Sequence, residues 1–82
     1  MAILVTGASA GFGEAMCRTF VQAGYSVIGA ARRGEKLQAL AAELGERFYP
    51  LEMDVSRTES IRNALDSLPE NFAEIDCLIN NA

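Results

Sequence analysis

The chain has 82 residues, half of them apolar, and a net charge of −4. That length holds one small domain at most, and the acidic balance argues against nucleic acid or an acidic membrane as a partner. With no histidine and two cysteines that form no Cys-x-x-Cys, no metal site is expected. Cys17 and Cys77 read as reduced, buried thiols of a cytoplasmic protein. No apolar run reaches membrane length, and the N-terminus shows no basic signal region.

Ala2–Thr6 is apolar almost throughout, as a strand covered on both faces would be. Thr6-Gly7-Ala8-Ser9-Ala10-Gly11-Phe12-Gly13 follows, and then a helical pattern over Gly13–Ala23, with Gly24 as its terminator. Phe12, Met16 and Phe20 recur every fourth residue. Tyr25–Ala30 reads as a second strand centred on Val27 and Ile28. Glu35–Leu44 reads as a second helix with Leu37, Leu40, Ala41 and Leu44 on one stripe. Arg47–Met53 reads as a third strand; Pro50 cannot donate to a ladder, so this strand belongs at a sheet edge. Ser56-Arg57-Thr58-Glu59 is a capping-box pattern opening a third helix, with Ile61, Leu65 and Leu68 as its core stripe and Pro69 as its stop. Ile75–Asn80 reads as a fourth strand.

The order β-α-β-α-β-α-β implies an α/β fold with parallel strands and right-handed crossovers. A doubly wound sheet of order 3-2-1-4 puts the third strand at the edge, where Pro50 requires it. The fourth strand, with apolar Ile75, Cys77, Leu78 and Ile79, becomes the other edge, and an uncovered apolar edge invites pairing with another chain.

Strand, glycine turn, helix is the context of a nucleotide-phosphate loop. A helix N-terminus offers free N–H groups and the positive end of its dipole to an anion. Gly7 permits the turn out of the strand, Gly11 leaves room for a pyrophosphate, and Gly13 lets the helix pack closely. The spacing is Gly-x-x-x-Gly-x-Gly, and the missing Gly-Lys-[Ser/Thr] excludes a P-loop. Beyond the second strand, where an NAD site would carry an acid for the ribose hydroxyls, Val27–Gly34 has none and instead carries Arg32 and Arg33. Arginine forks fit a phosphate, so the pattern favours NADP over NAD. Asp54 ends the third strand beside the same crevice, where it serves either an adenine amino group or the following helix dipole. Asn80 and Asn81 close the fourth strand. Tyr25 and Tyr49 read as core or edge aromatics of strands, and Lys36, the sole lysine, as a solvated helix residue. No serine has a histidine to activate it.

Thr6-Gly7-x-x-x-Gly11-x-Gly13, Arg32-Arg33, Asp54-Val55 and Asn80-Asn81-Ala82 together resemble, in order and spacing, the short-chain dehydrogenase/reductase family across the whole chain. Gly11-Phe12-Gly13-Glu14, Arg32-Arg33 and Leu68-Pro69 ahead of Ile75-Asp76 further resemble its NADP-dependent 3-hydroxy acid (serine or allo-threonine) dehydrogenase branch. The resemblance implies a Rossmann-type sheet and hydride transfer between NADP and a hydroxy acid or other alcohol or carbonyl compound. It implies that Gly7, Ala8, Ser9, Ala10, Gly11 and Phe12, packed through Gly13, hold the pyrophosphate and ribose. Ser9, Arg32 and Arg33 would meet the 2′-phosphate, Asp54 and Val55 adenine, and Asn81 and Ala82 the adenosine ribose. Asn80 would tie the central strands together. The family's catalytic serine, tyrosine and lysine have no counterpart here, and its Asn-Asn-Ala-Gly motif stops before the glycine. Residues 1–82 are thus expected to be the N-terminal dinucleotide-binding part of such an enzyme, a homo-oligomer at full length, with no catalytic residue of their own. The alternative is a nucleotide-binding or regulatory module without catalysis.

Overall fold

The structure, a computed structural model, describes residues 2–9, 11–54 and 56–80. It contains strands β1 (Ala2–Thr6), β2 (Ser26–Ala31), β3 (Phe48–Glu52) and β4 (Ile75–Ile79). Helices α1 (Gly11–Gln22), α2 (Gly34–Leu44) and α3 (Thr58–Asp66) alternate with them, and short 3-10 turns occupy Gly45–Arg47 and Glu70–Phe72. The strands form one parallel sheet in the order β3-β2-β1-β4. Pro50 stands opposite Gly29 on β3, which pairs with β2 alone, so no ladder bond is asked of the proline on its outer side.

β1 is buried along its whole length because its alternate residues feed two cores. Ile3 and Val5 join Val27, Phe48, Cys17, Leu37 and Leu40 beneath α1 and α2. Ala2 and Leu4 join Ile28, Leu51, Met53, Ala64 and Phe72 on the opposite face. α1 closes at Gly24 (φ +97°), where the Gly24 N–H donates to Val21 and the Tyr25 N–H to Phe20, 3.0 Å each. This paired αL closure is what the glycine permits. Arg18 then ties α1 to α2 with a two-pronged bond to Glu43, Nε–Oε2 2.7 Å and Nη2–Oε1 2.9 Å.

Several boundaries and environments differ from the sequence-based expectation. α1 starts two residues earlier, at Gly11, and the chain from Gly45 to Arg47 turns before β3 begins at Phe48. Tyr25 precedes β2, half-exposed, with its ring edge-on to Phe20; Tyr49 packs on Phe72. The Ser56 capping box does not form. Arg57 occupies the N-cap without a side-chain bond, because the Ser56 N–H and hydroxyl both donate to Asp54 Oδ1, at 3.0 and 2.7 Å. On α3 the buried residue is Ala64, while Leu65 turns outward and Ile61 and Leu68 pack at the margin. Cys17 is buried as expected, but Cys77 is exposed, since β4 pairs on one side only and Leu78 beside it is 62% exposed.

Candidate functional site

All four strands run parallel, so their C-terminal ends share one edge of the sheet, and the loops leaving β1, β2 and β3 meet there. Two main-chain bonds extend the pairing past the strand ends: Ala8 N–H to Ala30 at 3.0 Å and Met53 N–H to Ala31 at 2.9 Å. Between these loops lies a cleft of about 450 Å³. Gly7 and Ser9 form one wall, Arg32, Arg33 and Lys36 a second, and Asp54 and Ser56 a third, over a floor that includes Ala30 and Met53.

The glycine run shapes the first wall. Gly7 (φ +65°) and Gly11 (φ +57°) adopt left-handed backbone, which other residues enter only at a cost. Gly13 has a different reason. A Cβ there would overlap the Gly7 carbonyl and stand 3.0 Å from the Ala8 Cα, so its bare backbone seats α1 directly against the turn. Gly11 has no atom within 4 Å of where a Cβ would be. It borders a neighbouring groove between α1 and α2, which the cleft meets at Ser9 and Lys36. Phe12 is 78% exposed and lines neither hollow. Ala8 is buried.

The arginine segment joins β2 to α2, with Arg33 as the helix N-cap and no side-chain cap bond there. The ion pairs among the described residues belong to Arg18, with Glu14 and Glu43, so among those residues Arg32, Arg33 and Lys36 form no ion pair. Arg32 also lines an adjoining hollow with Glu52 and Asp54. The Glu52 carboxylate lies close enough to Gly34 that a Cβ there would stand 2.7 Å from it. On the third wall, the Asp54 N–H donates to Ser60 Oγ at 3.0 Å. Hydrogen bonds from the Ser56 side chain and backbone hold the Asp54 carboxyl below its ordinary range, helped by the charges of Arg32 and Arg57. The aspartate is therefore ionised and fixed at the cleft's rim. Asn80 accepts a bond from the Thr6 hydroxyl at 3.1 Å, linking the ends of β1 and β4.

Of the residues singled out from sequence, Gly7, Ser9, Arg32, Arg33 and Asp54 come together in one cleft, whereas Gly11, Phe12 and Gly13 do not line it. Ala10, Val55, Asn81 and Ala82 lie outside the described residues. Lys36, expected to be a solvated helix residue, is exposed and also lines the cleft, and Ser56, Glu52 and Ser60 contribute without having been anticipated. Their one sequence signal was nearness to Arg33 or Asp54. Neither tyrosine lines the cleft.

The sequence matches the family model for short chain dehydrogenases over residues 1–82. The chain belongs to the short chain dehydrogenase family. Among curated members, it is 50% identical over 80 residues to serine 3-dehydrogenase from Agrobacterium fabrum, covering 98% of this chain and 32% of that one. It is 49% identical over 82 residues to the NADP-dependent 3-hydroxy acid dehydrogenase YdfG of Escherichia coli K12, covering all of this chain and 33% of the relative. A solved closed form of serine dehydrogenase complexed with NADP+ superposes with a TM-score of 0.97 at 49% identity, over all of this chain and 33% of that one. The chain thus spans about a third of the length of these family members. The four-stranded order 3-2-1-4, anticipated from the β-α alternation and Pro50, is the arrangement that superposes on that structure.

Proposed function

We propose that residues 1–82 are the N-terminal, NADP-binding part of a Rossmann-fold oxidoreductase acting on a hydroxy acid such as serine. One observation carries this reading: Ser9, Arg32 and Arg33 share a cleft at the C-terminal edge of a parallel sheet, which is where such folds take their ligands. Three donors that form no ion pair among the described residues suit a phosphate monoester, and Asp54, held ionised, suits an amino group such as that of adenine. The open space over Gly11 fits a pyrophosphate passing the start of α1, with Gly7 giving the chain its turn beneath. Asn81 and Ala82 complete the ribose side on this reading, and Val55 the adenine side. The names of the relatives, NADP-dependent and serine dehydrogenases, support the cofactor and substrate class.

When bound, NADP supplies the hydride acceptor or donor. This chain's own residues bind and orient it; the proton donor that carbonyl reduction needs is expected outside residues 1–82, because among the described residues neither tyrosine lines the cleft. The test is Gly11→Val, titrated with NADP while circular dichroism reports the fold. Two methyl groups would fill the space over Gly11 and a β-branched residue resists its left-handed backbone, so binding should be abolished, and a retained circular-dichroism signal separates loss of the site from loss of the fold. Unchanged affinity would rule out the phosphate-loop assignment.

A further inference from the structure

We propose that Lys36 is a third cationic ligand of the adenosine-side phosphate, acting beside Arg33 and Ser9. This rests on the NADP reading above and names a residue that reading does not require. Lys36 lies in the first turn of α2, whose extended N-cap is Arg33, and both residues line the cleft. With Ser9, it is one of two residues lining both the cleft and the groove leading to Gly11. Its ammonium is therefore within reach of whatever occupies the junction.

The charge distribution around it is unbalanced. On the groove side Arg18 is paired with both Glu14 and Glu43, and on the cleft side Arg32 shares a hollow with Glu52 and Asp54. Arg33 and Lys36 make no ion pair among the described residues. Both also stand at the positive end of the α2 dipole, where a cation is unfavourable and an anion favourable. A lysine in that turn works against the helix dipole, which Glu35 beside it favours; breaches of local preference of this kind are expected at functional sites. The ligand that satisfies both cations is a dianionic phosphate monoester. A lysine suits this post because its ammonium is a point charge on a flexible stem that can meet any oxygen of the group.

The experiment compares 2′,5′-ADP with 5′-AMP, two fragments differing only in the 2′-phosphate, by calorimetric titration of the protein at its native length. Lys36→Gln should weaken 2′,5′-ADP about five- to tenfold, the loss of one charged contact at an exposed site, and 5′-AMP less than about twofold. Lys36→Arg should restore binding of 2′,5′-ADP to near that of the unmodified protein. An unchanged affinity for 2′,5′-ADP in Lys36→Gln, or an equal loss for both ligands, would overturn the assignment while leaving the NADP reading intact. An unmodified protein that binds the two fragments equally would overturn the NADP reading and this inference with it.

Discussion

Gly13→Ala sets helix propensity against packing, and the two demand opposite signs. Alanine is favoured over glycine inside a helix by about 0.8–1 kcal/mol, so if only the helix mattered the variant would be more stable. In the fold, an added Cβ would lie 2.7 Å from the Gly7 carbonyl carbon and 3.0 Å from the Ala8 Cα, against a comfortable carbon–carbon separation of about 3.5–4.0 Å. The atoms in the way are backbone, so no side chain can rotate aside. Either α1 lifts from the turn or the turn shifts, and overpacking of this kind costs about 1–3 kcal/mol. A clash with rigid backbone puts the cost in the upper half of that range, so after the propensity gain a net loss of about 1–2 kcal/mol remains. With a urea dependence of about 1–3 kcal/mol per molar, the midpoint should fall by about 1 M. Urea denaturation followed by circular dichroism measures it. A midpoint at or above that of the unmodified protein would refute the close seating of α1 on the Gly7 turn.

The two thiols should behave oppositely. Burial pushes Cys17 up to about 11, with Glu14 adding to the rise, so it should resist a thiol reagent at pH 8 while exposed Cys77 reacts at once, as mass spectrometry of the labelled protein would show. Because the native state then holds a proton that the unfolded state loses, stability should decline as pH rises from the ordinary value of 9.0 toward about 11, and Cys17→Ala should flatten that part of a pH–stability curve. Leu37→Ala removes a fully buried side chain from beneath α2 and should cost about 2–5 kcal/mol in the same denaturation assay; a loss of less than about 1 kcal/mol, well below the range for such a cavity, would contradict the packing described. The 82-residue chain by itself leaves β4 unpaired on its outer side and Leu78 62% exposed, so sedimentation at tens of micromolar should reveal dimers or larger species. A monodisperse monomer there would mean that the edge is protected.

The fold was legible where one residue type admits one environment. The β-α alternation implied a doubly wound parallel sheet, Pro50 made β3 an edge, and the two readings agree on the observed sheet order. Gly13 was legible as a packing glycine because a helix leaving a tight turn leaves no room for a side chain. What escaped was decided by competition between neighbours in space. Ser56 has the chemistry of a cap, but the Asp54 carboxylate took both of its donors. Leu65 fits a helical stripe, yet α3 leans on the sheet through Ala64. Cys77 is apolar enough for a core, but its exposure depends on what lies beyond β4. Lys36 and Glu52 belong to different elements from the residues they approach, and one-dimensional spacing does not show a helix's first turn and a strand's last residue converging on Arg32 and Gly34.

The direct test of the central claim is the affinity of Arg32→Ala, Arg33→Ala for NADP and for NAD, measured side by side on the protein at its native length. Charged hydrogen bonds to a phosphate contribute about 1.5–3 kcal/mol each, so the double variant should lose tenfold or more in NADP affinity while NAD binding changes little. Equal losses for the two cofactors would mean that the arginine pair does not read the 2′-phosphate.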